Sequence, residues 1–476
     1  MFDQYVAYHA RLTPDALAVR LPERDVSYAA FDRDIGRMAA LLAEAPIAPG
    51  AIVSVALAHD YLHWVMVLAL ARRGIASSIA ADDRADFRVT DDPERALPGR
   101  SLIVDRDWLA RASAADPATP RIVPQTDAVG IALRTSATTG EAKRVGWTFG
   151  RIDAAIRNAQ FLYGTARGGW LGLSGHQNIM GCFSMLSCWG QGQMALLGLP
   201  CASGQDAVAI AAQRPAYISL VPAQLRWLLD NLPGDVPAWP VRLLTSGGPL
   251  PAPLAQRAGE RLSRDIVSQY GTTETSGIAA AALATILARP GAAGYAVPGV
   301  TIEILDEGGL PLPPGQLGRV QVRSDRVAPG YLDDPERSAE CFSPGAYLSN
   351  DLGVVEADGL IILHGRADDM MNVGGQKILP RFVEDAALGC PGVLDAAAFG
   401  LPDADGAMQC WLAIEADGTA PPDEDALKAA LAPVLDWVSV RYVTVDRIPR
   451  NAMGKVQRSV LRDAVIAREK LDPQSS

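Results

Sequence analysis

Cysteine is scarce in this chain: Cys182, Cys188, Cys201, Cys341, Cys390 and Cys410 are scattered over 476 residues with no C-x-x-C pair, which argues against a disulfide framework and against a cysteine zinc site. They read as buried thiols. Histidine is scarcer still, with five residues. His59 and His63 stand at i and i+4, but Asp60 rather than Glu follows the first, so the pair lacks the zinc-protease chemistry of that spacing. Basic residues are outnumbered, 43 Lys and Arg against 54 Asp and Glu for a formal net charge of -11, which argues against a protein whose main task is holding nucleic-acid backbones. Long apolar runs are missing too. The longest, residues 64–71 and 277–288, fall well short of the roughly 18 to 20 residues that span a bilayer. The opening MFDQYVAYHARL lacks the basic, apolar and small-residue succession of a secretory signal. The expectation is a cytoplasmic protein with no membrane span and no nucleic-acid partner.

Apolar residues make up 49% of the chain and charged residues 20%, which is ample material for packed cores and no sign of disorder. A single core usually stops growing at roughly 250 to 300 residues, so two or more domains are expected. Between residues 216 and 271 three β-rich runs, AYISLV, VRLLTS and DIVSQY, alternate with amphipathic helical stretches at 224–231 and 254–262. These are βαβ units. AIVSVAL before an apolar helix at 61–73, and AVGIALRTS before a loop and a helix at 152–160, repeat the alternation. Beyond residue 294, TIEILDEGG and GRVQVRSD, punctuated by Gly and Pro, predict hairpins in a small β-rich lobe. From residue 370 the pattern becomes α+β: helix 380–388, strands 394–399 and 410–414, helix 424–431, strand 438–445. The expected fold is α/β: a large N-terminal domain, residues 1–366, of parallel-type βαβ sheets plus the β-rich lobe, followed by a small α+β C-terminal domain, residues 367–476.

Four segments carry the chemistry. TSATTGEAK, residues 135–143, follows an apolar strand and offers hydroxyls and backbone N–H groups to an anion; its spacing is wrong for a P-loop, and alone such a segment is more often only a turn. SQYGTTETSG, residues 268–277, follows the third strand of the βαβ run, at the carboxyl end of a parallel sheet where ligands bind. There Tyr270 can stack on a base, Thr272 and Thr273 can bond a phosphate, and Glu274 can hold a divalent ion. SNDLGVVEADGLIILHGRADD, residues 349–369, places Asp351 ahead of a hairpin, where a carboxylate can hold ribose hydroxyls with support from Arg366. PRNAMGKVQR, residues 449–458, sets Lys455 on a glycine-containing loop. Taken singly, an Asp before a hairpin is a turn former, and a loop lysine is a solvated charge.

In this order and at these distances the four segments resemble the adenylate-forming superfamily, which includes acyl-CoA synthetases, adenylation domains of nonribosomal peptide synthesis and beetle luciferases. SATTGEAK resembles its SGTTGxPK loop, YGTTE stands unaltered, NDLG and DGLIILHGRADD resemble its GDLG and DGyxxxxGRxDD, and RNAMGKVQR resembles its RNxxGKxxR. MNVGGQKILP, residues 371–380, adds its glycine stretch past the hinge. The likeness spans nearly the whole chain. It implies that Ser136, Thr138, Thr139, Gly140 and Lys143 hold the pyrophosphate end of ATP, and that Gly247, Gly248 and Pro249 with Tyr270, Gly271 and Thr272 border the nucleotide. Thr273 is then at the α-phosphate, Glu274 on Mg²⁺, Asp351 and Arg366 on the ribose, and Lys455 is the catalytic lysine. Asp368 falls at the hinge, so the C-terminal domain is expected to be mobile. Ala137 and Ala142 depart from the family's glycine and proline, which is expected to tune the loop, and Asn372 is given no catalytic role.

LGLSGHQNIMGCFSML, residues 171–186, resembles the family's acyl-pocket helix, with His176 as its gate beside Gln177, Met180 and Gly181. No Asp or Glu occurs from residue 154 to 205. A buried ammonium without a counter-charge is costly, so an uncharged aryl or acyl acid is expected over an α-amino acid. The acceptor is either coenzyme A or the phosphopantetheine of a carrier protein, whose arm Gly374 and Gly375 leave room for. Two rival readings stand beside this one: a stand-alone adenylation enzyme loading an amino acid onto a carrier protein, and a nucleotide-binding regulator without turnover.

Overall fold

The computed structural model describes residues 1–135, 142–164, 167–289, 291–403, 407–416, 423–433, 435, 440–450 and 455–471. By packing, the chain divides into two units, Met1–Ile302 with Val322–Leu348, and Glu303–Gln321 with Ser349–Ser476. The domain boundary expected at 366/367 falls inside the second unit, which groups residues 303–321 and 349–366 of the β-rich stretch with the C-terminal segment.

The first unit is α/β, as expected. One of its sheets orders the strands Ser101–Ile103, Phe87–Thr90, Ile52–Ala56, Ala76–Ser78, Val129–Arg134 and Arg144–Thr148. All are parallel except the last, which runs antiparallel to its neighbour. The other runs in parallel from Ile266–Thr272 through Arg242–Thr245, Tyr217–Leu220, Gly169–Gly172 and Met194–Leu196 to Leu17–Arg20. Antiparallel strands flank it on both sides: Asp25–Ser27 at one end, Ser276–Ala282 and Ala292–Ala296 at the other. Helix Asp60–Arg72 is buried almost all round, which explains why its sequence shows little amphipathic period. With helix Ile179–Gly190 it contributes to the main apolar core, while helices Pro222–Asn231 and Ala252–Arg261 cover the parallel strands in a second core.

One expectation is corrected here: the helix expected at 152–160 is present as Phe149–Asn158, but strand Arg144–Thr148, antiparallel to Val129–Arg134, precedes it. The apolar run 277–288 divides equally between strand Ser276–Ala282, which pairs with Ile266–Thr272, and helix Leu283–Ala288. Of the six thiols five are buried, and Cys201 is only partly so.

Residues 303–305, 318–321, 349–355 and 361–366 of the second unit belong to strands Thr301–Leu305, Gly318–Arg323, Ala346–Val355 and Ile361–Arg366, which follow one another in a sheet. Farther on, strands Val393–Pro402, Met408–Ala416 and Val440–Val445 form a three-stranded sheet with helices Pro380–Leu388, Glu424–Leu431 and Arg458–Leu471. Successive residues of Val393–Pro402 point to opposite faces: Ala396 and Ala398 enter one core, Ala397, Phe399 and Leu401 the other. Among the described residues no helix is long and apolar enough to cross a membrane.

Candidate functional site

The phosphate segment has a defined neck. Thr135 N–H donates to the Lys143 carbonyl at 2.9 Å, and Lys143 N–H donates to the Thr135 hydroxyl at 3.1 Å. Ser136, Thr138, Thr139 and Gly140 lie outside the described residues. Lys143 itself reaches Asp334 at 3.2 Å and sits 4.8 Å from the ring centre of Tyr331.

The bend of Gly247, Gly248 and Pro249 leaves the carboxyl end of strand Arg242–Thr245, whose parallel neighbour Ile266–Thr272 carries Tyr270, Gly271 and Thr272. Parallel pairing thus sets these two expected nucleotide borders side by side. The second is not a loop. It ends in a tight hairpin over residues 273–275, with Thr272 paired to Ser276 on the returning strand. Gly271 is required by close approach, since a Cβ there would stand 2.0 Å from the Ser276 carbonyl oxygen. The tip is internally bonded: the hydroxyls of Thr272 and Thr275 lie 3.2 Å apart, and the Thr272 hydroxyl accepts from Glu274 N–H at 3.3 Å. Thr273 uses its carbonyl to accept from Trp147 Nε1 at 2.9 Å.

Glu274 is 6% exposed. Its Oε1 accepts from the Tyr331 hydroxyl at 2.9 Å, which lies 3.5 Å from the Tyr347 hydroxyl. Burial, then the Glu274 charge, pushes both phenols above their ordinary pKa, so both stay protonated. Among the described residues no Lys or Arg pairs with Glu274. A buried carboxylate held by neutral groups is a fitting ligand for a divalent cation.

In the second unit, Asp351 and Arg366 are direct cross-strand partners, so the two expected ribose ligands are brought together by register. Asp351 lies within strand Ala346–Val355, not ahead of a hairpin. Arg366 also donates to Asp368 at 3.0 and 3.1 Å. Burial alone lowers the Arg366 pKa, but the carboxylates of Asp368, Asp351 and Asp369 outweigh it and raise the value. Lys455 adjoins Val456, which bridges Arg450. Arg450 grips Asp395 at 2.8 and 2.9 Å, and Arg458 grips Glu384 at 2.5 Å and donates to the Ala398 carbonyl at 3.0 Å. Both ends of the lysine segment are therefore fastened to strand Val393–Pro402 and helix Pro380–Leu388.

The pocket helix is shorter than expected: it begins at Ile179, and His176 and Gln177 lie in the loop that leads into it. Asn178 caps it by accepting from Gly181 N–H at 3.0 Å and donates to the Ser174 carbonyl at 2.7 Å. A Cβ on Gly181 would stand 1.6 Å from the Gly175 oxygen, so only glycine lets the 174–178 loop fold onto the helix. Met180 is buried in the same turn. His176 and Gln177 line a cavity of about 380 Å³ with His63, Asp60, Asp91, Asp92 and Arg95. The His176 ring stacks on His63, ring centres 3.8 Å apart, and its Nδ1 lies 3.7 Å from Asp60. Burial lowers the pKa of both rings; at His63 the His176 charge adds to it, and at His176 Asp60 opposes it. Sequence reasoning missed Asp60, His63, Tyr331 and Asp334. They come from other elements, and only the fold supplies the signal that joins them to the motifs. Asp60 corrects one premise: a carboxylate does stand beside His176, supplied from outside residues 154–205.

A family model described as AMP-binding enzyme matches residues 79–332. The chain is 27% identical over 503 residues to a fatty acid–[acyl-carrier-protein] ligase of Streptomyces coeruleorubidus, covering 97% of this chain and 95% of that one. It is 31% identical over 366 residues to a sulfoacetate–CoA ligase of Cupriavidus necator, covering 72% and 68%. The solved structure of ATP-bound MatB from Rhodopseudomonas palustris matches 98% of this chain and 99% of its own with a TM-score of 0.85 at 23% identity, a likeness of fold.

Proposed function

The chain belongs to the AMP-binding enzyme family, and on that premise we propose that it is an AMP-forming acid–thiol ligase acting on an aryl or acyl acid. A carboxylate is a poor electrophile. Its oxygen attacks the α-phosphorus of ATP, pyrophosphate leaves, and the mixed anhydride with AMP then accepts a thiol at its carbonyl while AMP departs. In-line displacement of this kind needs positioning and neutralisation of spreading negative charge rather than a covalent protein intermediate. Lys143 holds the pyrophosphate end, Thr273 the α-phosphate, Asp351 and Arg366 the ribose, and Lys455 meets the charge that develops in the first step. Glu274 would hold Mg²⁺, which supplies charge neutralisation at the phosphates. His176, Gln177, Met180 and Gly181 would border the acid, and Asp368 would let the C-terminal segment from residue 367 swing, taking Lys455 away before the thiol arrives. The acceptor is coenzyme A or a carrier-protein phosphopantetheine, and the setting cytoplasmic.

The observation that carries this reading is that Lys143 and Glu274, from two separate motifs, meet on one side chain, Tyr331. ATP–pyrophosphate exchange over a panel of aryl, fatty and amino acids tests it. At least one acid should drive exchange, and silence across the panel would end the proposal. A second reading draws on Asp60 at 3.7 Å from His176: a carboxylate there suits an acid bearing an amine, loaded onto a carrier protein. Exchange with amine-bearing acids alone would favour it.

A further inference from the structure

Tyr331 is held from several sides. Its backbone bridges Val145, two residues beyond Lys143, and the next residue, Leu332, donates to the Arg144 carbonyl at 2.8 Å. Its N–H donates at 2.9 Å to the Ser338 hydroxyl, which in turn donates to the Asp334 carbonyl at 2.7 Å. Asp334 is itself fixed as the cap of helix Pro335–Cys341, accepting from Arg337 N–H at 2.9 Å. On this frame the phenol has two functional contacts. Its hydroxyl donates to Glu274 at 2.9 Å, and its ring face takes the Lys143 ammonium, which Asp334 tethers at 3.2 Å.

We propose that Tyr331 is a positioning residue that makes phosphate binding at Lys143 and divalent-cation binding at Glu274 depend on each other. An ammonium over the ring draws electron density from it and strengthens the hydroxyl as a donor to Glu274. When phosphate takes Lys143 away from Asp334 and the ring, that donor weakens and the carboxylate is freed for the cation. The reverse holds by linkage: a cation that displaces the hydroxyl loosens Lys143 for phosphate. The inference rests on the functional reading above, which assigns phosphate to Lys143 and Mg²⁺ to Glu274.

The test is calorimetric ATP binding to the full chain, once in EDTA and once in saturating MgCl₂, with no acid present. Tyr331→Phe keeps the ring and loses the hydroxyl. In EDTA it should bind ATP more tightly than the unaltered protein, and the two should converge in saturating MgCl₂, so that the gain given by Mg²⁺ shrinks by about fivefold. Asp334→Asn keeps the helix cap but releases the tether, so ATP should bind more tightly in EDTA. An unaltered Mg²⁺ gain in Tyr331→Phe, an equal loss of both affinities, or no change in Asp334→Asn overturns the coupling while leaving the functional reading intact. If the unaltered protein binds no ATP, both fall together.

Discussion

Lys455 is the single side chain on which the proposed first step depends most, because an α-phosphorus under attack spreads charge that a distant cation cannot meet. Lys455→Ala should cut adenylate formation by orders of magnitude, while thioester formation from a supplied acyl-adenylate persists. Equal loss of both half-reactions, measured separately, contradicts the role. The paired imidazoles give a different expectation. His63 is 1% exposed, and among the described residues neither ring nitrogen has a hydrogen-bond partner; burial holds its pKa well below 6.5 and lowers that of His176. Below 6.5 the unfolded chain then binds protons that the folded one refuses, so their contribution to stability is present above that pH and is lost as the pH falls. His63→Phe keeps a ring against His176 and removes one of the two groups. Its thermal midpoint should fall less steeply between pH 6.5 and more acidic buffers than that of the unaltered protein, and parallel profiles would refute the assignment.

Elements were readable where local pattern and tertiary role agree. The alternation of AYISLV, VRLLTS and DIVSQY with amphipathic helices gives three parallel strands and two helices where expected, and helices Pro380–Leu388 and Glu424–Leu431 fall on their expected bounds. The antiparallel returns at Arg144–Thr148 and Ser276–Ala282 were not read, because RVGWT is only five residues long and SGIAAAA is an alanine run without strand period, and both pair with a neighbour's open edge. For the same reason the motifs could be named but not their supports: Tyr331 and Asp60 reach Glu274 and His176 only through sheet and helix packing. The pocket helix offers a test of local fit. Gly181→Ala forces a methyl group into the Gly175 carbonyl, which should cost about 1–3 kcal/mol of stability by overpacking. Denaturant unfolding checks this, and a variant of unchanged midpoint would show that the 174–178 loop yields freely.

Across the whole molecule, the fastening of the lysine segment has a mechanical consequence. Arg450 on Asp395 and Arg458 on Glu384 tie the segment at both ends to the C-terminal sheet and helix, so on the reading proposed above the lysine is expected to travel with them. If the cation retreats between half-reactions as proposed, the three-stranded sheet would carry it and drag solvent with it. Turnover of the full reaction should accordingly slow as glycerol or sucrose thickens the medium, whereas single-turnover adenylation with the segment already in place should be indifferent to it. Stopped-flow traces in graded sucrose separate the two. A lysine bolted to its carrier is timed by the friction of the carrier.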